Sequence, residues 1–140
     1  MPTIKVEPTA DVKAGAEVLW DILVDVKSWP DRKLIASIAS PASNLLREGS
    51  SFKVQHQGLT WTLTVTGIEK PRKLRWTGKC LGLKAAHEWE FIEEGAKTRA
   101  VNRESISGWM TIFLYPLIKR ILARADEEWL NDLKSRAESV

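Results

Sequence analysis

Two histidines, one cysteine and a scatter of carboxylates are the groups in this 140-residue chain that could move a proton, hold a metal or attack a carbonyl. His87 and Glu104 have the types needed for general acid–base work on an enolisable substrate, which asks for a base poised near neutral pH. Burial beside Trp76 and Trp89 would push a Glu104 carboxyl upward toward that range. The plainer role for Glu104 is a hydrogen bond to backbone or to an arginine at a sheet edge. His56 and His87 lack the companion ligands of a metal site: one carboxylate is near them in the pattern and there is no cysteine cluster, so no metal is expected. Cys80 has no base paired with it in sequence and reads as a small buried or rim thiol. As the single cysteine it also excludes an internal disulfide.

Positioning these groups falls to a sheet. From residue 51 to residue 107 five alternating runs follow one another with turn signals between them, which predicts an antiparallel meander. The runs are 52–56, 60–66, 74–78, 85–92 and 98–106, turned at Gln57-Gly58, around Lys70, at Leu81-Gly82 and at Glu94-Gly95. Facing residues in a hairpin have numbers with a constant sum. Those turn centres pair His56 with Trp61, Leu63 with Trp76, Trp76 with His87, and His87 with Asn102. One face then collects Trp61, Trp76 and Trp89 with His56, His87, Asn102 and Glu104, among Val, Leu and Phe side chains. The opposite face collects Lys53, Gln55, Arg75, Glu88, Glu90, Arg99 and Arg103. A slip of one residue would drive Arg75 or Glu90 inward, so the facing is well specified.

The apolar face needs a cover. Residues 111–138 carry a long helical stripe of Leu114, Ile118, Ile121, Leu122, Ala125, Trp129 and Leu133, with Asp126, Glu127 and Glu128 expected on or beside the wet face. Pro116 is expected to start or kink the regular helix. Upstream, residues 3–7 alternate and read as a short strand. Ala16, Leu19, Trp20, Leu23 and Val24 mark a helix with Asp11 as its cap. A turn at Ser28-Trp29-Pro30-Asp31 precedes a second short helix, and residues 35–46 read as a strand broken near Pro41. Trp20 and Trp29 are expected to pack these small helices. Three tryptophans and a few polar groups in one apolar concavity describe a small-molecule site. The competing reading is a closed core in which those polar groups satisfy one another, as His87 and Asn102 could.

Composition agrees with one ordinary soluble α+β domain over residues 1–140: 44% hydrophobic and 28% charged. The formal charge of +3 arises from 21 basic and 18 acidic residues in scattered positions. Without a basic stripe, nucleic acid is not an expected partner. No apolar stretch reaches the roughly 20 residues that span a bilayer, so no integral membrane segment is expected. Met1-Pro2-Thr3-Ile4-Lys5 leads straight into alternation with no secretory pattern, and a cytoplasmic location is the expectation. Seven tryptophans against one tyrosine is the compositional oddity.

The chain resembles the START-like, Bet-v-1-like superfamily, also called SRPBCC, in its polyketide cyclase/dehydrase-like branch. The resemblance covers nearly all of it. It is carried by Glu17-Val18-Leu19-Trp20-Asp21 with Asp25 and Trp29-Pro30, by Leu46-Arg47-Glu48-Gly49-Ser50-Ser51-Phe52, and by Glu69-Lys70-Pro71-Arg72-Lys73-Leu74-Arg75-Trp76-Thr77-Gly78. His87-Glu88-Trp89-Glu90-Phe91, Gly95-Ala96-Lys97-Thr98-Arg99 and the closing Trp129-Leu130-Asn131-Asp132-Leu133-Lys134 complete it. It implies a helix-grip fold, with a curved antiparallel sheet around a long C-terminal helix and two short helices after the first strand. It also implies a cavity for a lipid, polyketide or other apolar molecule, but no single chemistry. Where similar sequences carry a second aromatic after the Trp-Pro pair, Asp31-Arg32 stands here, which implies a more polar cavity mouth on that side.

The expected ligand contacts are Trp61, Trp76, His87, Trp89, Asn102 and Glu104 from the sheet, with Phe113, Leu117 and Ile121 closing from the helix. The leading expectation is binding or transport of a hydrophobic or aromatic small molecule by a monomer or homodimer, with no cofactor. The alternatives are a cyclase or dehydratase using His87 or Glu104 as acid or base, and a protein-interaction domain with a closed core. The apolar run from residue 108 to residue 118 is a candidate gate, membrane-touching patch or subunit interface, or simply packing beneath the helix start.

Overall fold

The computed structural model describes residues 3–25, 47–56 and 59–140, and the strand at 37–39; at 37–39, 55 and 56 it describes backbone alone. Among the described residues eight strands form one antiparallel sheet. They are β1 (Ile4–Val6), β2 (Thr9–Val12), β3 (Ser37–Ala39), β4 (Ser51–His56), β5 (Leu59–Glu69), β6 (Lys73–Cys80), β7 (Leu83–Glu94) and β8 (Lys97–Ser107). The order is β1-β8-β7-β6-β5-β4-β3, with β2 also on β8. A short helix α1 (Ala16–Val24) follows β2, and α2 (Met110–Glu138) closes the chain. The second short helix of the sequence reading, Trp29, the Asp31-Arg32 pair and most of the 35–46 run lie outside the described residues.

The predicted faces hold. Phe52, Val54, Leu63, Val65, Leu74, Trp76, His87, Trp89, Phe91, Ala100 and Asn102 are all buried, whereas Arg75, Thr77 and Arg99 are exposed. Three pairings differ from the sequence expectation, each by two residues. Trp89 faces Asn102 and His87 faces Glu104, because the turn is built on Gly95, at φ +70°, followed by Ala96. Glycine reaches that left-handed region without the steric cost other residues meet there. Val65, not Leu63, faces Trp76, and a bulge between Val65 and Gly67 follows. Val54, not His56, faces Trp61, and His56 faces Leu59. The β6–β7 pairing of Trp76 with His87 is as expected. Side chains repeat every two residues along a strand, so a shift of two leaves every residue on its face.

Asp11 belongs to β2, paired with Arg99, rather than capping α1. Gly15 occupies the cap position without a side-chain hydrogen bond. The Ala16 N–H instead donates to Glu93 Oε1 at 3.3 Å, so the helix end is satisfied from β7. Leu19 and Leu23 of α1 are fully buried, and burial of each such side chain contributes about 1.5–3 kcal/mol.

Helix α2 is bent. Leu114 leaves helical geometry, at φ −119° and ψ 22°, two residues before Pro116. The proline has no N–H for the carbonyl one turn back and crowds it, which breaks the ladder there. Past the bend, Leu122, Ala125, Trp129, Leu130 and Leu133 are buried against the sheet. The expected stripe is corrected at three places. Leu114 and Ile121 are exposed, and Asp126, expected on the wet side, is buried at 3% exposure.

Candidate functional site

Trp76 on β6, His87 on β7 and Glu104 on β8 are direct neighbours in one row across three strands. Leu74, Trp89 and Asn102 form the adjacent row two residues along. Helix α2 lays Asp126 and Trp129, one turn apart, over these rows. The Trp129 ring stands 5.8 Å from Trp76, 5.6 Å from His87 and 5.5 Å from Trp89, centroid to centroid. His87 lies 4.8 Å from Trp76 on one side and stacks at 5.8 Å on Trp89 on the other.

Hydrogen bonds fix the histidine. Asn102 Nδ2 donates to the Asp126 carbonyl at 3.1 Å, which sets the orientation of its amide. Asn102 Oδ1 is then left to accept from His87 Nε2–H. The lone pair of the neutral ring is therefore on Nδ1, which faces Glu104 Oε2 at 3.6 Å. Burial lowers the basicity of His87 below its ordinary value, against the opposing pull of Asp126. Glu104 moves the other way. Burial, then the charge of Asp126, then a hydrogen bond with the Asp126 carboxyl hold its pKa well above the ordinary carboxylate range. A hydrogen bond between two carboxyl groups needs a proton on one of them. The neutral Trp89 Nε1–H is fully buried and finds no acceptor among the described residues.

Trp76, His87, Glu104, Asp126 and Trp129 line a cavity of about 400 Å³ between sheet and helix. Trp61, Trp76, His87 and Glu104 contribute from the sheet, and Ile118, Ile121, Leu122, Asp126 and Trp129 from α2. Aliphatic side chains such as Val54, Leu63, Leu83 and Ile106 make up much of the remaining wall. Gly78 keeps the floor low: a Cβ there would stand 2.9 Å from Leu63 Cδ2. Of the residues expected to touch a ligand, Trp61, Trp76, His87, Glu104 and Ile121 border this space. Trp89 and Asn102 are fully buried behind it, and Phe113 and Leu117 lie outside it at 75% and 51% exposure. The side chain of His56 is outside the described residues.

Asp126 and Trp129 are the site residues that sequence reasoning missed as such. Trp129 was visible in the helical stripe. Asp126 sits beside Ala125 in that stripe, and its neighbours Glu127 and Glu128 disguise it as part of a solvated run. One atom each from His87, Glu104 and Asp126 lie within 4.8 Å of one another, so the trio has the reach to hold a cation. Cys80 is buried and its thiol is pushed up by that burial, which makes it a poor nucleophile.

A curved antiparallel sheet gripping a C-terminal helix over a lined cavity defines the START-like, helix-grip class. Residues 3–138 match the family model described as polyketide cyclase / dehydrase and lipid transport, and the chain belongs to that family. Among solved structures it is similar to a hypothetical protein from Helicobacter pylori, with a TM-score of 0.80 and 19% identity over 97% of this chain and 88% of that one. It is also similar to the ZhuI aromatase/cyclase from Streptomyces sp. R1128, with a TM-score of 0.79 and 18% identity over 98% and 94% of the two chains. A START superfamily protein from Mycobacterium smegmatis gives a TM-score of 0.77 and 16% identity over 96% and 97%. No curated protein matches by sequence. Among the described residues no helix is long and apolar enough to cross a membrane.

Proposed function

We propose that the protein binds an apolar, ring-bearing or lipid-like small molecule between its sheet and α2, without forming a covalent bond to it. The observation that carries this reading is the cavity itself. Its roughly 400 Å³ falls within the ~300–1,000 Å³ of small-molecule pockets, and its wall is apolar apart from one ionisable corner. A protein-interaction domain with a filled core accounts poorly for such a space. The test is native mass spectrometry of the purified protein together with fluorescence titration. Trp61, Trp76 and Trp129 line the cavity, so an occupying ligand should quench a large share of the tryptophan emission. Absence of any co-purified molecule, and unchanged emission with a panel of polycyclic and acyl ligands, would remove the reading.

A second reading is a cyclase or dehydratase in which His87 and Glu104 act as base and acid. The unprotonated Nδ1 of His87 beside a carboxyl of raised pKa supports it. So does likeness of fold to a protein named aromatase/cyclase. An enzyme should lose turnover of a poly-β-ketone analogue in His87→Ala while still binding the cyclised product. A carrier should show no turnover to lose.

A further inference from the structure

We infer that the protein docks on the surface of an anionic lipid bilayer through the β6–β7 turn and the first half of α2. The docking surface is defined by its own residues and stands whatever the cavity holds.

The two segments form one surface. The turn is Leu81-Gly82, between the paired Cys80 and Leu83. A Cβ on Gly82 would collide with the Trp109 ring, so the tryptophan at the head of α2 lies directly on the turn. Leu81, Trp109, Ile112, Phe113 and Leu117 are all exposed, Leu81 at 86%. Leu81 also has φ 49°, in the left-handed region that a bulky side chain seldom adopts. The fold holds that strained leucine without burying it. An exposed apolar set that includes an indole marks a surface suited to a partner.

Charge selects the partner. Residues 79–84 and 105–125 contain five basic residues and no acidic one. Among the described residues, Arg124 alone of the five is in an ion pair, with Glu128 at 3.2 Å. Lys79 and Lys84 face each other across the hairpin, a like-charge pairing that is unfavourable until an anion lies against it. Lys119 and Arg120 are exposed in the helix between Leu117 and Ile121. Stems of lysine and arginine lie along apolar surface while their charged heads reach the polar layer beyond it. Apolar side chains for the acyl boundary and cations for the phosphate layer match a bilayer with anionic headgroups. A second copy docked about a twofold axis would set the same cations against one another, with no carboxylate from these segments to separate them. An acidic protein would answer the cations, but the extent of exposed apolar side chain favours the bilayer. Ile121 is exposed and also borders the cavity, so this docking brings the cavity wall up to the lipid.

The test is co-sedimentation of the intact protein with vesicles of phosphatidylcholine alone and with vesicles in which about a third of the lipid is phosphatidylglycerol. Binding to the anionic vesicles is expected to be at least ~tenfold tighter, and to weaken as salt is raised. Leu81→Asn/Phe113→Ser should lower it about tenfold, and Lys119→Glu/Arg120→Glu should abolish the preference for anionic lipid. All four side chains are exposed and none lines the cavity, so circular-dichroism melts of both variants should match that of the unaltered protein. No binding to the anionic vesicles, equal binding to both kinds, or binding that Leu81→Asn/Phe113→Ser retains in full overturns the inference and leaves the cavity reading standing. A dimer in sedimentation velocity that the same variant splits would make a second copy the occupant. Tighter binding to poly-L-glutamate than to the anionic vesicles would make it an acidic protein. Either result also overturns the inference.

Discussion

Glu104 and His87 are buried titratable groups whose shifts have opposite consequences for stability. Glu104 holds its proton more tightly in the native state than at its ordinary 4.5. As pH rises above that value the unfolded chain releases the proton first, so native stability falls by up to about 1.4 kcal/mol per pH unit until the native group ionises. His87 has a lowered native pKa, so below its ordinary 6.5 the unfolded chain takes up the extra proton and stability falls toward acid. Glu104→Gln removes the first effect and keeps the second. The melting temperatures of the two proteins are expected to be similar near pH 4, with the variant gaining several degrees by pH 8. A constant difference across that range would contradict the assignment. Much of this chemistry was legible in the residues: alternation alone put His87, Asn102 and Glu104 on one interior face. The Asp126 partner was not, because a helix turns by about 100° per residue and one position decides between core and solvent, whereas in a strand the parity is shared by the whole run.

At the scale of elements, local pattern told which face of each strand is inside but not which residues meet across the sheet. A turn displaced by one position, as at Gly95-Ala96, moves every partner by two, and alternation is blind to that. The bulge at Val65–Gly67 and the second edge strand β2 were likewise hidden, since neither has a residue signature strong enough to override a simple alternation. The junction of β8 with α2 depends on a close approach instead. Gly108 has φ +130°, and a Cβ on it would lie 1.9 Å from the Gly82 carbonyl oxygen. That neighbour is backbone and cannot swing aside. Gly108→Ala is expected to cost about 3 kcal/mol or more, the sum of left-handed strain and displaced backbone, in a denaturant melt. A loss below 1 kcal/mol would show that the junction adjusts freely.

Across the whole molecule, apolar burial is uneven. The second half of α2 is packed onto the sheet, while Trp109, Ile112, Phe113 and Leu117 ahead of it remain exposed. Stability should follow that division. Phe113→Ser is expected to change unfolding free energy by no more than about 0.5 kcal/mol, whereas Leu133→Ala, at a fully buried site, should cost about 2–5 kcal/mol. Comparable losses from both would mean that the first half of the helix is covered in solution. Asn102 contributes a different asymmetry, because its amide ties β8 to the Asp126 carbonyl and clamps the roof at that point. Leu59 and Ile121, the cavity-bordering residues with large open area at 38% and 41%, lie away from the clamp. Both lie well along the sheet from the row of Trp76, His87 and Glu104, since Leu59 opens β5 opposite His56 whereas Val65 is the β5 residue that faces Trp76. A guest that entered past Leu59 and Ile121 would cross the greasy length of the chamber before its leading tip met His87 or Glu104, so such a route would impose an orientation before the destination does.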